Sequence, residues 1–246
     1  MTSSNTNQNS YRLAIIIPFY NEEKRIMVQH FSNFALQQKD ILLVMVDDGS
    51  TDNTTSLLHS IHDLSPGNTK IILLPKNSGK GNAIRAGMLS IVGSAIPYIA
   101  YMDADLSAPF EEILRLSSFL PGSDYTAILG SRMMKSDSQI KRSLFRHISG
   151  RTVANVIDSH FKIGFYDTQC SAKIFRYESL VQVIQEPFYT RWFFDVELIL
   201  RIRKQTGKFH ALETPVKVWE HKAGSKINAF SVFSIIKEIY ILFRKY

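Results

Sequence analysis

The amino-acid sequence predicts an α/β fold built around a mostly parallel sheet flanked by helices. Between residues 13 and 105, short apolar runs rich in β-branched residues alternate with stretches of helical periodicity. Polar residues follow each apolar run within a few positions. Strands separated by helices form right-handed βαβ units, and such sheets bind ligands beyond the carboxyl ends of their strands. The polar segments after the strands are therefore where we expect chemistry.

The first half of the chain contains four predicted strands and three predicted helices. The strands are Leu13–Ile17, Ile41–Val46, Lys70–Leu74 and Tyr98–Met102, and the helices are Glu22–Gln38, Thr54–Leu64 and Gly81–Ile91. The acids Glu22 and Glu23 after Asn21 indicate the start of the first helix. Asp52 or Asn53 is the expected cap of the second.

The pattern beyond Asp105 is less regular. The predicted elements are a helix at Phe110–Phe119, a strand at Thr126–Leu129, a basic helix at Ser143–His160, an apolar run at Ser171–Arg176, a helix at Phe193–Lys204 and a β-rich piece at Phe209–Trp219. Residues 13–226 contain no repeat or long linker, which predicts a single domain with halves at 13–105 and 106–226. The polar residues 1–12 are expected to form a disordered tail, and residues 227–246 an apolar helix.

Composition excludes several classes of protein. With 45% hydrophobic and 21% charged residues, the chain can bury a substantial core, so global disorder is excluded. The single cysteine, Cys170, cannot form an internal disulfide, which excludes the small disulfide-stabilised class. No run approaches the roughly 18 apolar residues of a membrane span, and no signal peptide is recognisable. We therefore expect a cytoplasmic protein that is soluble or peripheral on a membrane.

The net charge of +7 is divided unevenly along the chain. Residues 1–131 carry nine basic and twelve acidic side chains, whereas residues 132–246 carry twenty basic and ten acidic ones. A basic half beside an acidic half predicts an anionic partner bound on one side of the molecule. The alternative is an ordinary charged surface.

Acidic and basic residues occupy the expected ligand-binding edge. Asp47 and Asp48 follow the second strand and can accept hydrogen bonds from a nucleobase or ribose; the alternative is a capped loop. Asp103 and Asp105, spaced i and i+2 after the fourth strand, can bind a hard divalent cation and leave positions for diphosphate oxygens. Lys80, at a glycine-flanked helix start, offers positive charge and nearby backbone N–H groups to a phosphate, without a Walker A pattern.

A basic stretch lies early in the second half. If it is helical, Arg142 and Arg146 lie on one face at i and i+4. Two guanidinium groups on one face suit a phosphate monoester, and the alternative is a solvated helix face.

The ordered motifs PFYNEE, VDDGSTD, NSGKGNAIRAG, MDADLSAP, GSR, DTQCSAKIF and RWFFDVEL resemble those of the family 2 glycosyltransferases, which have the GT-A fold. The resemblance is closest to the dolichyl-phosphate (polyprenyl-phosphate) β-glucosyltransferase branch, whose sequences carry similar DTQCG-K-F, RW-FDVEL and Trp-x-GSK elements. It extends from about Leu13 to Lys226. Ser171 stands where that branch usually has glycine.

The resemblance implies an inverting, metal-dependent hexosyltransferase that uses Mg²⁺ or Mn²⁺. A nucleotide-sugar, most simply UDP-glucose, would donate glucose to a polyprenyl or dolichyl phosphate. Residues 13–105 would bind the donor and residues 106–226 the acceptor. The alternatives are transfer to a saccharide hydroxyl in envelope polysaccharide synthesis, a nucleotidyltransferase, and a non-catalytic nucleotide-binding module. No glycine-rich nucleotidyltransferase signature is found near the amino terminus.

The resemblance also assigns residues to the site. The implied donor-binding residues are Pro18, Tyr20, Glu22, Asp47, Asp48, Lys80, Arg85 and Asp103. The implied metal ligands are Asp103 and Asp105, with His221 as a further candidate, and the implied acceptor-phosphate residues are Arg132, Arg142, Arg146, Gln169 and Lys173. The implied catalytic residues are Asp103, Asp105, Asp195 and Arg132. Asp195 would be a general base towards a hydroxyl acceptor, or an orienting group towards a phosphate acceptor, which is already a nucleophile.

The segment from Ile227 to Tyr246 is apolar around much of a helix. It could be a core helix, a homodimer helix, or an interfacial helix on an anionic bilayer, which would suit an acceptor with a membrane-embedded isoprenoid tail. A phosphate-bearing substrate already accounts for part of the excess positive charge. Nucleic acid is therefore not an expected partner.

Overall fold

The computed structural model describes residues 11–133, 139–141, 144–220 and 229–246, with only the backbone at 139–141, 144–152 and 229–233. The strands are β1 (Leu13–Phe19), β2 (Ile41–Asp47), β3 (Thr69–Leu73), β4 (Tyr98–Tyr101), β5 (Ala127–Ser131), β6 (Gln139–Lys141), β7 (Lys173–Arg176), β8 (Ala211–Pro215) and β9 (Val218–Glu220). The helices are α1 (Val28–Gln37), α2 (Thr54–Leu64), α3 (Lys80–Leu89), α4 (Phe110–Ser117), α5 (Leu144–Phe161), α6 (Tyr177–Leu180), α7 (Phe194–Thr206) and α8 (Ala229–Lys245).

One sheet of seven strands carries both halves of the chain, in the order β3-β2-β1-β4-β7-β5-β8. Six strands run in the same direction, and β7 alone is antiparallel, between β4 and β5. Strands β6 and β9 form a separate parallel pair. The mostly parallel α/β fold expected from the sequence is confirmed.

Helices cover both faces of the sheet. Alternate residues of each strand point to opposite faces, so each strand contributes to both packed layers. Leu13, Ile15 and Ile17 of β1 pack with residues of α1, α2 and α4. Ala14 and Ile16 pack with residues of α3 and α7 on the other face. The near-continuous apolar runs that predicted these strands reflect burial on both sides.

The first helix begins later than its sequence predicts. Helix α1 starts at Val28, not at Glu22, and Asn21 has a positive φ of 50°. The backbone N–H groups of Asn21 and Glu22 donate to Ser50 Oγ (3.0 Å) and Thr54 Oγ1 (2.8 Å). These bonds join the β1–α1 loop to the β2–α2 loop and replace the predicted first turns, so that part of the prediction is wrong.

Helix α8 packs on one side only. Ile235, Ile239 and the fully buried Leu242 contact residues of α5 and α7. Ile236 and Tyr240 on the opposite side are 61% and 62% exposed. No helix among the described residues combines the length and the apolarity that crossing a bilayer requires.

Candidate active site

The functional side chains meet at one edge of the sheet, where β1, β2, β4 and β5 end. Because β7 runs in the opposite direction, its first residue, Lys173, lies at the same edge, paired with Tyr101 of β4 and Leu129 of β5. The amino terminus of α7 brings Asp195 to this edge as well, within hydrogen-bonding distance of Tyr101. Two groups can be distinguished here. We call Asp47, Asp48, Lys80 and Asp103 the donor-side group, and Arg132, Asp167, Lys173 and Asp195 the acceptor-side group, after the halves of the chain in which the sequence resemblance predicts donor and acceptor binding.

Asp103 is paired with Lys80, the first residue of α3. Lys80 Nζ lies 2.6 Å from Asp103 Oδ1, and both side chains are about one-third exposed. Burial alone would raise the pKa of Asp103, but the charge of Lys80 and hydrogen bonds from Lys80 and Ser171 hold that pKa below its ordinary value. Asp103 is therefore a carboxylate at neutral pH, available to a cation.

Asp105 sits in the turn that follows Asp103. Its Oδ1 accepts hydrogen bonds from the backbone N–H of Ser107 (2.9 Å) and from the Ser107 hydroxyl (2.5 Å). Among the described residues, no group of three or more His, Cys, Asp or Glu side chains could hold a metal ion. A Mg²⁺-type site needs only one or two carboxylates, because substrate phosphates and water complete it. Asp103 and Asp105 fit that requirement.

Asp47 and Asp48 order the loops of the donor-side group. Asp48 accepts the N–H groups of Ser78 (2.7 Å) and Gly79 (2.9 Å). Asp47 accepts the N–H of Ser50 (2.8 Å) and a hydroxyl of the following helix. Asp48 Oδ1 also accepts the Ser78 hydroxyl (2.7 Å). Asp48 Oδ2 and both Asp47 oxygens accept one of these bonds each and can accept another, so the contacts are compatible with a ribose or base partner.

The glycines around Lys80 serve close packing. A Cβ on Gly79 would lie 2.5 Å from Arg191 Nε, and one on Gly81 would lie 2.5 Å from the Cβ of Phe194. The sequence suggested that backbone N–H groups in this loop face a phosphate, but those of Ser78 and Gly79 donate to Asp48. Of the features predicted to bind an anion, the positive charge of Lys80 and the N–H groups that begin α3 remain.

Arg132 and Asp167 form a two-pronged ion pair. Arg132 Nε and Nη2 donate to the two carboxylate oxygens of Asp167 over 2.7 and 2.8 Å, and the guanidinium lies 5.4 Å from the Trp219 ring centre. Burial opposes both charges, yet the pair lowers the pKa of Asp167 and raises that of Arg132. Glu213 accepts the backbone N–H of Asp167 and fixes its position.

Lys173, Asp195 and Tyr101 form a buried cluster. Asp195 Oδ1 accepts hydrogen bonds from Lys173 Nζ (2.6 Å) and the Tyr101 hydroxyl (2.5 Å). Lys173 and Tyr101 are completely buried, and Asp195 is 4% exposed. Burial and the charge of Asp195 raise the pKa of Tyr101 well above its ordinary value, so its hydroxyl remains a donor.

The DTQC segment contains one unsatisfied donor and one inert thiol. The side-chain Nε2 of Gln169 is buried and makes no hydrogen bond within the described part of the chain. Burial, with the nearby charge of Asp167, raises the pKa of Cys170 to about 11, so the thiol stays protonated at neutral pH.

Two residues assigned from sequence to the donor site have partners within the chain. The Arg85 guanidinium donates to the carbonyls of Ile184 (2.6 Å) and Gln185, so the structure does not place it with Lys80. Lys80 and Arg85 are five positions apart in α3, and residues at that spacing point to different faces of a helix. Membership of the same sequence motif therefore does not bring their side chains together. Glu22 is paired with Arg25, 2.5 Å from its Nε.

For the other residues assigned from sequence, the structure gives at most the position in the fold or the backbone. Pro18 pairs with Val46 within the sheet, and Tyr20 follows β1. Arg142 and His221 lie outside the described residues, and Arg146 is described only as part of the α5 backbone.

Two buried carboxylates, Glu197 and Glu238, hold the backbone near the site, and the sequence motifs did not predict this role. Glu197 accepts the N–H (2.9 Å) and hydroxyl (2.8 Å) of Thr190. Glu238 accepts the N–H groups of Trp192 (2.8 Å) and Phe193 (3.2 Å). Their sequence signal is weak: each is an acid within a largely apolar helix, a position that requires a partner when buried.

Comparison with known proteins gives a consistent picture. The model of Glycosyl transferase family 2 matches residues 14–182. Proteins named dolichyl-phosphate beta-glucosyltransferase are similar over most of the chain. The Homo sapiens protein is 32% identical over 89% of this chain and 70% of its own length, and the Saccharomyces cerevisiae protein is 30% identical over 94% and 73%.

The fold is also found among solved structures. Glucosyl-3-phosphoglycerate synthase from Mycobacterium tuberculosis, in complex with Mn²⁺ and UDP-glucose, has a TM-score of 0.68 with 15% sequence identity. The match covers 94% of this chain and 77% of that chain. The same enzyme in complex with phosphoglyceric acid has a TM-score of 0.68. This similarity supports the GT-A fold expected from the sequence motifs.

Proposed function

The chain belongs to glycosyl transferase family 2, and on that premise we propose that it transfers glucose from UDP-glucose to a polyprenyl or dolichyl phosphate. The observation that carries the proposal is the charge arrangement at the sheet edge. Asp103 and Lys80 lie 2.6 Å apart, and the Arg132–Asp167 and Lys173–Asp195 pairs belong to the same edge. The relatives named dolichyl-phosphate beta-glucosyltransferase support a lipid phosphate over a saccharide hydroxyl.

The donor-side group would hold the nucleotide-sugar. Asp103 and Asp105 would bind a divalent cation, Mg²⁺ or Mn²⁺, which when bound neutralises charge on the departing diphosphate. Lys80 would contribute a second positive charge beside that diphosphate. Asp47 and Asp48 would meet the base and ribose while ordering their loops. The Mn²⁺ and UDP-glucose complex of the mycobacterial synthase supports this choice of cation and donor.

The acceptor-side group would hold the acceptor phosphate. The buried Nε2 of Gln169 is an unsatisfied donor within the described residues, and an acceptor oxygen would supply its partner. Arg132 and Lys173 would contribute positive charge, although each is already paired with a carboxylate. Arg142 and Arg146 remain predictions from sequence for the same phosphate.

Transfer would need no general base. An acceptor phosphate oxygen is anionic, so it would form the bond to the sugar C1 while the bond from C1 to the diphosphate oxygen breaks. The bonding electron pair would leave with UDP, and the configuration at C1 would invert. Asp195, with Oδ1 held by Lys173 and Tyr101, is suited to orienting these residues more than to accepting a proton.

Helix α8 would rest on a membrane surface. Its outward side exposes the apolar residues Ile236 and Tyr240 and the cations Lys237 and Arg244. The partly exposed Phe243 lies beside them and stacks on His160 of α5. This combination complements an anionic bilayer, in which an isoprenoid acceptor would reside. Flotation with phosphatidylglycerol vesicles, but not with phosphatidylcholine vesicles, is the expected result. Concentration-dependent dimers without flotation would indicate that a second copy covers this side.

The activity is tested by offering several nucleotide-sugar donors, one at a time, to the same acceptor. UDP-glucose, GDP-mannose and UDP-GlcNAc, each radiolabelled, are offered separately with polyprenyl phosphate and Mn²⁺ or Mg²⁺. We expect label from UDP-glucose in the lipid fraction. Label that enters only an added oligosaccharide would refute the lipid acceptor, and release of pyrophosphate from NTP plus sugar phosphate would indicate a nucleotidyltransferase.

A further inference from the structure

A short segment between α6 and α7, residues 189–193, connects helix α8 to the donor-side group. Glu238 of α8 is 5% exposed and accepts the N–H groups of Trp192 and Phe193 through one oxygen, Oε2. Phe193 immediately precedes α7, and the first N–H groups of a helix have no partner within it. A carboxylate at this position also interacts favourably with the helix dipole. Glu238 thus supplies, from another helix, the acceptor for the N–H groups of the N-cap residue Phe193 and of Trp192 before it.

The other end of the 189–193 segment is held by Glu197. Glu197 accepts the N–H of Tyr189 (3.1 Å) and both the N–H and the hydroxyl of Thr190. Arg201 and the Tyr246 hydroxyl, 3.1 Å apart, both contact Glu197. Two carboxylates therefore hold the backbone on both sides of Arg191, and both are tied to α8.

Arg191 is the point at which this segment meets the loop before α3. Its guanidinium donates to Asn77 Oδ1, and its side chain lies against Gly79 so closely that a Cβ there would be 2.5 Å from Nε. Lys80, which pairs with Asp103, is the next residue along that loop. The position of the 189–193 segment is therefore coupled by direct contact to the residues around Lys80.

The same segment leads into the acceptor-side group. Phe194 packs against Gly81, and its ring centre lies 5.8 Å from Lys80 Nζ. Asp195 follows, bonded to Lys173 and Tyr101. A shift at the start of α7 would thus move contacts on both sides of the site.

We propose that Glu238 is a positioning residue for the transfer reaction, which places Arg191 against the Asn77–Gly79 loop and sets the start of α7. Glu238 lies in α8, beyond residues 14–182 that the family model matches, so this role belongs to the additional C-terminal part of the chain. The inference rests on the proposed function for its kinetic consequences. Its structural consequence, ordering of the 189–193 segment, does not depend on the substrate.

The test compares Glu238→Ala with Glu238→Gln. Alanine removes the acceptor, whereas the glutamine carbonyl can still accept both N–H groups. In Glu238→Ala we expect the dissociation constant for UDP with Mn²⁺ to rise about tenfold, because displacement of a supporting segment weakens binding at a distance. Hydrogen exchange at the Trp192 and Phe193 amides should accelerate in the same variant. Glu238→Gln should restore both quantities to within about threefold of wild type.

Two further variants test whether the effect of Glu238→Ala arises from the contacts of the 189–193 segment. Glu178→Ala, an exposed acid in the first turn of α6, is the control and should leave both quantities unchanged. Arg191→Ala removes the contact with the Asn77–Gly79 loop without touching α8. It should weaken UDP binding to a similar extent and add little to Glu238→Ala when the two are combined.

The proposal is overturned if folded Glu238→Ala keeps wild-type UDP affinity and amide exchange, or if glutamine is as defective as alanine. If Glu238→Ala does not fold, Arg191→Ala with unchanged UDP affinity overturns it. Absence of UDP binding by the wild-type protein would count against the proposed function instead. The amide-exchange comparison would still decide the role of Glu238 in ordering the segment.

Discussion

The donor-side and acceptor-side groups use the same residue types but stabilise them differently. In the donor-side group, Asp47 and Asp48 are held by N–H and hydroxyl donors, and the one carboxylate paired with a cation, Asp103 with Lys80, stays about one-third exposed. In the acceptor-side group, Asp167 and Asp195 are held by the cations Arg132 and Lys173. The positive charge in the second half of the chain is therefore partly neutralised inside the protein. The excess of basic residues in the sequence is therefore larger than the positive charge that is available to a bound phosphate.

The largest effect should come from Asp103, which the donor-side group leaves partly exposed for a cation. Asp103→Asn keeps the shape but removes the charge, and we expect kcat to fall by at least about a hundredfold. Measurement of Mn²⁺ binding with and without UDP gives a second readout, and the variant should lose UDP-dependent Mn²⁺ binding. Near-wild-type turnover with saturating donor and metal would remove the basis of the donor-side assignment.

The acceptor-side group should be more sensitive in stability. Lys173→Met leaves Asp195 buried without its cation, so we expect a loss of about 3–5 kcal/mol in the free energy of unfolding. The double variant Lys173→Met with Asp195→Leu should recover much of that stability, because no unpaired charge remains. It should not recover activity. Recovery of both would mean that the pair only supports the fold.

Asp195→Asn separates the two roles left open by the sequence. If Asp195 orients Lys173 and Tyr101, kcat should fall by about a hundredfold while the pH dependence of the remaining activity keeps its wild-type shape. Loss of a limb of the pH profile in the variant would identify Asp195 as a base and favour a hydroxyl acceptor.

A smaller effect is expected at Asp48, because its loop bonds and its proposed contact with the base or ribose are lost while the contacts to the diphosphate remain. Asp48→Ala leaves the N–H groups of Ser78 and Gly79 without their acceptor and should raise the KM for the donor about tenfold. The KM for the lipid acceptor should stay near wild type. An equal rise in both constants would show that the two groups are not separable.

The smallest effect concerns acid stability. Arg132 lowers the pKa of Asp167, so the pair stabilises the fold above the ordinary carboxyl pKa of 3.8, and this contribution is lost as the pH falls below that value. Asp167→Asn should lower the Tm at neutral pH by about 2–6 °C, and its difference from wild type should narrow below about pH 4. A difference that does not change with pH would contradict the assigned charge of Asp167.

The two groups also differ in how far sequence could predict them. The donor-side elements follow regular βαβ units, so the strands, the acidic strand ends and Lys80 were found from local patterns. The pairs Arg132–Asp167 and Lys173–Asp195 join residues that are 35 and 22 positions apart and depend on the reversed direction of β7, for which no local signal exists. The delayed start of α1 has a similar cause, since loop-to-loop hydrogen bonds override local propensity. The partners of Arg85, the carbonyls of Ile184 and Gln185, are about a hundred positions away along the chain, so no local pattern indicates them.

The most direct test of the account is the structure of the product. Wild-type protein is incubated with UDP-glucose labelled with ¹³C at C1, polyprenyl phosphate and Mn²⁺, and the lipid extract is analysed by ¹³C and ³¹P NMR. We expect C1 to show coupling to a single phosphorus and the β configuration, as direct attack by the acceptor phosphate on an α-linked donor requires. An α-linked glucosyl phosphate, or a labelled C1 without phosphorus coupling in any extracted product, would contradict the account.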